Sequence, residues 1–126
     1  MKVLSFSYCF PNADNPTWGI FVYQRLAALA QQTELKVCAP MPWFPLLTGG
    51  ARQENEESWK DVCVFRPGFF YIPKFFKNYD AKFYAAGLRP WLASLRQGWE
   101  PDLLDAHFVW PDGVGVALLA ETFKLP

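Results

Sequence analysis

The chain has 126 residues, a length that fits one domain with a core that needs no disulfides. Lys+Arg and Asp+Glu number 12 each, so no global charge favours nucleic acid, and none is expected as a partner. With 12 Phe, 6 Trp and 5 Tyr the chain is too apolar for disorder, and some apolar surface is expected to be covered by something outside it.

No apolar run reaches the roughly 18 residues that span a bilayer. The start, Met1-Lys2-Val3-Leu4-Ser5-Phe6-Ser7-Tyr8, is too short and polar for a signal peptide. The three cysteines, Cys9, Cys38 and Cys63, are odd in number and lack CxxC spacing. They read as free thiols in a reducing compartment, with a cytoplasmic location and no metal expected.

Residues 2–8 read as a buried strand stopped by Pro11. The stretch Cys9–Gly19 is dense in turn residues. A helix is predicted over 20–32, with Val22, Leu26 and Leu29 on its apolar stripe and Gln24 and Arg25 off it. Residues 34–39 alternate as a second strand, closed by Pro40 and Pro42. Residues 40–60, with Pro, Gly and the acidic cluster Glu54, Glu56 and Glu57, read as a long exposed loop.

Residues 61–66 read as a third strand ended by Pro67-Gly68, and 69–77 as aromatic and irregular. A helix follows over 78–97, kinked or divided at Pro90 and terminated by Gly98. Residues 102–107 form a fourth strand. A last helix covers 113–124, with Val116, Leu119, Ala120 and Phe123 on one face. This β-α-β-β-α-β-α order implies an α/β, Rossmann-like parallel sheet with flanking helices. Because the pattern stops on a helix, residues 1–126 are expected to be one domain cut before its remaining strands.

Three groups of residues carry candidate chemistry. Thr17, Trp18 and Gly19 join the first strand to the first helix, the corner where such folds bind phosphate. No G-x-G-x-x-G is present, and an ordinary turn glycine is the alternative. His107, the chain's only histidine, stands at the end of the fourth strand with Trp110, Asp112 and Gly113 behind it. A strand-end histidine can act as general acid or base or bind a hydroxyl; the alternative is a structural hydrogen bond. Asp105, two residues earlier, points to the same face. Asp112 can instead cap the following helix. The third group is the run from Arg66 to Arg96, with six basic residues and one acidic residue among aromatics. Lys74, Lys77 and Lys82 in it are candidates for a membrane surface. The alternative is rings packed under a loop with solvated charges.

In order along the chain, three stretches resemble the N-terminal domain of GT-B-fold, family 4 (retaining) glycosyltransferases. They are Pro11…Asn15-Pro16-Thr17-Trp18-Gly19-Ile20-Phe21-Val22…Leu26-Ala27-Ala28-Leu29, then Pro101-Asp102-Leu-Leu-Asp105-Ala106-His107-Phe108, then Trp110-Pro-Asp112-Gly113…Ala117-Leu-Leu-Ala120. The match is loose over 40–98. The resemblance implies the N-terminal half of a two-domain architecture that transfers a sugar from a nucleotide-sugar to a hydroxyl, on a glycan or lipid-linked acceptor at the inner membrane face. The donor would be a substrate, with no cofactor or metal. A C-terminal donor-binding domain would be a partner. Gly19 and its neighbours would approach the donor phosphates or reacting sugar, and His107 would line the acceptor side. Family members often carry histidine where this chain has Asp105. An isolated chain of this extent would be inactive. The rival readings are a small-ligand-binding α/β module without a reaction and a protein-interaction domain.

Overall fold

Strand β1 (Lys2–Phe6) is the strand around which the fold is built, and four of its five residues are buried. Its side chains alternate: Leu4 and Phe6 enter one core, while Val3 enters another on the opposite face. A strand wetted on neither face must be covered on both, and here helices do so. The computed structural model describes residues 1–43 and 56–126.

After β1 come α1 (Ile20–Leu29), β2 (Glu34–Cys38), β3 (Met41–Trp43), β4 (Glu56–Trp59), β5 (Val62–Phe65) and β6 (Gly68–Phe70). A short 3₁₀ turn, Lys77–Tyr79, leads into α2 (Asp80–Gly98), followed by β7 (Leu103–Ala106) and α3 (Val114–Phe123). The main sheet has the order β4-β5-β2-β1-β7. β1 pairs in parallel with β2 and β7, and β2 in parallel with β5, as the sequence predicts. β4 is antiparallel to β5, so the sheet is mixed and mostly parallel.

Helix α1 covers one face through Val22 and Leu26, against Val3, Val37 and Val64. Helices α2 and α3 cover the other, where Leu88, Leu92, Val116 and Leu119 meet Leu4, Phe6 and Leu104. The chain therefore runs from β1 to β2 to β5 in one direction, then returns through α2 to β7 on the far side of β1. The crevice between the loops after β1 and β7 is the switch point where such sheets bind ligands.

Three expectations need correction. The segment 40–60 is not wholly loop: β3 pairs with β6 in a two-stranded parallel sheet, and Glu56 and Glu57 lie in edge strand β4. Residues 44–55, including Glu54, lie outside the described residues. Residues 69–77 are not wholly irregular: strand β6 takes in Phe69 and Phe70, whereas the third strand does end ahead of Pro67-Gly68, at Phe65. Pro90 does not divide α2, which is continuous over Asp80–Gly98 with the proline inside it. Proline removes the N–H that would bond the Ala86 carbonyl. Both residues are exposed, so a carbonyl without that partner is open to solvent and the helix can continue.

Candidate functional site

Ser5 and Asp105 are register partners on β1 and β7, and their side chains meet on the α1 face. The buried Ser5 Oγ donates to Asp105 Oδ2 at 2.7 Å and lies 3.0 Å from His107 Nε2. His107 stands one residue beyond β7, and its N–H extends the ladder to the Phe6 carbonyl at 3.1 Å. Asp105 and His107 do share a face, with Nε2 3.3 Å from Oδ2. Arg25 closes the group from α1: one guanidinium nitrogen is 3.1 and 3.2 Å from the two ring nitrogens and 3.5 Å from Asp105.

The donor inventory assigns one consistent arrangement. Arg25 donates to Nδ1, Nε2–H is shared between Ser5 Oγ and Asp105 Oδ2, and Ser5 donates to Asp105. The Asp105 carboxyl is held down at about 2, first by the hydrogen bond from His107, then by Ser5 and the Arg25 charge, against partial desolvation. Despite the presence of serine, histidine and aspartate, this is not a nucleophilic triad. Ser5 has no exposed surface, and its proton goes directly to the carboxylate. The His107 side chain is only 7% exposed beneath an Arg25 side chain that is 58% exposed.

Behind His107 a wide turn, Val109–Gly113, leads into α3, with a cis Trp110–Pro111 bond. The Gly113 N–H donates to the Phe108 carbonyl at 2.6 Å, an approach that leaves a Cβ there only 2.9 Å from the same oxygen. Trp110 is exposed on the turn. Asp112 corrects the capping expectation: its Oδ2 accepts from the Tyr8 N–H at 2.9 Å, and no side chain caps α3. The carboxylate ties the loop after β1 to the turn after β7 and is fully buried, out of a ligand's reach. Burial raises its carboxyl from the ordinary aspartate value, opposed by the Tyr8 N–H and the Tyr84 hydroxyl. Although Tyr84 lies close enough to bias it, neither the Tyr84 hydroxyl nor Asp112 Oδ1 has a partner in hydrogen-bond geometry.

In the loop after β1, Asn12 Oδ1 accepts from the N–H groups of Asp14 and Asn15 at 3.0 and 2.8 Å, folding the loop back on itself. Gly19 precedes α1 with φ 66°, and a Cβ there would stand 2.4 Å from the Cys9 carbonyl oxygen. Glycine is required by both the backbone conformation and this contact. Thr17 and Trp18 are exposed beside it.

The same loop forms one wall of a cavity of about 480 Å³ above the carboxyl ends of β1, β2 and β5. Tyr8, Trp18, Asn12 and Asp14 line it from the loop, with Arg66 and Glu57 opposite. Arg66 is buried, forms an ion pair with Glu57, and donates to the Pro11 carbonyl at 2.6 Å. A second hollow, of about 450 Å³, is mainly apolar and lies by His107, Phe108, Val109, Gly113 and Val114. The structure thus places Trp18 at one hollow, with Gly19 buried behind it, and His107 and Gly113 at another. Sequence reading missed Arg25, Ser5, Asn12, Asp14 and Arg66. Two had a signal: Ser5 is a polar residue inside a buried strand, and Arg66 is a charge directly beyond a strand's carboxyl end.

The three lysines of the aromatic run separate. Lys74 and Lys82 are exposed, whereas Lys77 Nζ donates to the Ile72 carbonyl at 2.8 Å, sits 3.3 Å from Asp80 and lies over the Tyr71 ring. Among the described residues no group of three or more His, Cys, Asp or Glu side chains is placed to hold a metal, and no helix is long and apolar enough to cross a membrane. Comparison of the chain with protein-family models, curated proteins and solved structures finds no match.

Proposed function

We propose that this chain is the acceptor-side, Rossmann-like domain of a glycosyltransferase that moves a sugar from a nucleotide-sugar to a hydroxyl of a glycan or lipid-linked acceptor. The observation that carries the proposal is the cavity at the carboxyl ends of β1, β2 and β5. It combines a 45% exposed Trp18 with Asn12, Asp14, Glu57 and Arg66. An indole face offers apolar contact to the C–H face of a pyranose, while planar polar groups bond its hydroxyls. The resembling stretches supply the reaction class. The chain's own residues bind and orient the acceptor, and a donor-binding domain holds the nucleotide-sugar against it. Catalysis rests on positioning and on stabilising the leaving diphosphate. His107 acts from its network beside Ser5 and Asp105 as a positioning group.

One observation favours binding without reaction as the second reading: Ser5, Asp112 and nearly all of the His107 side chain are closed to solvent. The experiment is a radiolabelled sugar-transfer assay on the whole protein that carries this domain, beside glycan titration of the domain. Glycan binding that Trp18→Ala abolishes, with transfer that His107→Ala slows while donor affinity holds, is the expected result. Binding without transfer in any form of the protein selects the second reading. Absence of glycan binding overturns the acceptor site.

A further inference from the structure

The run from Arg66 to Arg96 has six basic residues and one acidic one, and the structure sorts them. Arg66 is paired with Glu57, Lys77 with Asp80 and Arg96 with Glu100. Lys74, Lys82 and Arg89 are exposed and have no carboxylate partner among the described residues. Asp80, the run's one acid, is buried against Lys77. The exposed charge of this region is therefore of one sign.

The aromatics sort the same way. Phe69 and Tyr84 are buried, but Phe75 is 68% and Phe76 63% exposed, with Tyr79 exposed beside them. Both Lys74 and Phe76 adopt left-handed backbone conformations, at φ 67° and 55°. Two such residues flanking Phe75 turn the chain sharply, and a tip of two projecting rings results. The Phe76 and Tyr79 rings are 6.4 Å apart, and the Lys82 ammonium lies 5.5 Å from the Tyr79 ring. Arg89 stands seven residues beyond Lys82 on α2, on the same helix face, with exposed Ala86 between.

We propose that this tip, Lys74–Lys82 continued by Arg89, docks the protein on an anionic lipid bilayer. Projecting rings suit the headgroup and acyl boundary, which is soft enough to admit them. The cations behind the rings then stand at the level of the phosphates. The complementarity is of charge: three unpaired cations and no exposed acid within the run. This inference is independent of the cavity and of the sugar-transfer proposal. Lys77 belongs to the fold of the tip, its ammonium engaged by Asp80 and the Ile72 carbonyl.

The test is flotation of the protein with vesicles of neutral phosphatidylcholine and with vesicles containing phosphatidylglycerol, at low and high salt. Binding to the anionic vesicles alone, weakened by salt, is expected. Lys74→Ala, Lys82→Ala and Arg89→Ala should each weaken it about fivefold, since each cation near the surface contributes on the order of 1 kcal/mol. Phe75→Ser with Phe76→Ser should abolish the salt-resistant part. All five positions are exposed, so thermal unfolding should change little and serves as the folding control. Equal binding to both vesicle types, or binding unchanged by the charge variants, overturns the proposal. So does preferential binding to a single-stranded oligonucleotide that competes with vesicles.

Discussion

Ser5 Oγ donates a 2.7 Å hydrogen bond to Asp105 Oδ2 across the β1–β7 register, which places a polar contact between a strand near the middle of the sheet and one at its edge. The two residues are 100 positions apart, so the bond forms only when the far strand docks on the first. It ties the position of His107 to the assembly of the sheet.

The first prediction follows from the state of Asp105, held at about 2 in the fold. An unfolded aspartate titrates near about 3.9. The depressed value stabilises the folded state fully above that range. This contribution is lost as pH falls from about 4 towards 2. Urea unfolding across this window should show a steeper loss for the parent protein than for Asp105→Asn. Parallel pH dependence of the two proteins would contradict the network.

Asp112 gives a prediction of opposite sign. Burial raises its carboxyl, so the folded state binds the proton more tightly than the unfolded chain does. Its contribution favours folding at low pH and is lost as pH rises through the raised value. Asp112→Asn keeps an acceptor for the Tyr8 N–H and removes a buried charge with one unpartnered oxygen. The variant should be more stable at pH 7 by about 1 kcal/mol or more, the scale of an unsatisfied buried group, and the gain should shrink in acid. A variant less stable at pH 7 would show that the ionised carboxylate is needed to hold the two loops together.

These two aspartates also mark how far sequence reaches in this chain. The central strands and the three helices were legible because Val3-Leu4, Leu35-Lys-Val37 and the Val22–Leu26 spacing carry strong period signals. The same-face pairing of Asp105 and His107 followed from the strand period alone. The β4–β5 hairpin was not legible: β4 is Glu-Glu-Ser-Trp, and its turn uses Lys60 at φ 52° where a glycine or asparagine would have signalled it. Strands β3 and β6 have three residues each, too few to show a period. Asp112 reads locally as a helix cap, but its partner Tyr8 is 104 residues away, and no local pattern encodes that distance. The roles of Arg25 and Arg66 likewise depend on what the fold brings beside them.

The loop that bears Trp18 depends on Gly19. An alanine there would adopt φ 66° and press its Cβ to 2.4 Å from the Cys9 carbonyl. Gly19→Ala should destabilise the protein by more than about 1 kcal/mol, the level at which positive-φ sites begin to resist side chains. The midpoint of urea unfolding measures this. Glycan affinity should fall with it, since the Trp18 wall of the cavity hangs from the same turn. Wild-type stability in Gly19→Ala would show that the loop can move away from Cys9, and that the cavity is less fixed than its geometry implies.

Thiol reactivity supplies the last prediction. Cys63 Sγ donates to Glu56 Oε1 at 3.1 Å, from β5 to its edge neighbour β4. Burial is the largest cause, and the Glu56 hydrogen bond the next, of a thiol pushed up to about 12; the Lys36 charge opposes them. Only the thiolate reacts with alkylating reagents. At pH 8 a thiol near 12 is ionised to about one part in ten thousand, against about a quarter for an ordinary thiol near 8.5. Native Cys63 should therefore react with iodoacetamide about a thousandfold more slowly than in the unfolded chain, as read by mass spectrometry of the labelled peptide. Cys38, fully buried and raised by the same desolvation, should stay unlabelled until the protein opens. Glu56→Gln removes the carboxylate acceptor while its side chain stays on the solvent side of an edge strand, so the fold is kept. Labelling of Cys63 should then rise several-fold, with that of Cys38 unchanged. Equal rates in parent and variant would separate Cys63 from Glu56, and a parallel rise at Cys38 would mean that the substitution loosens the sheet.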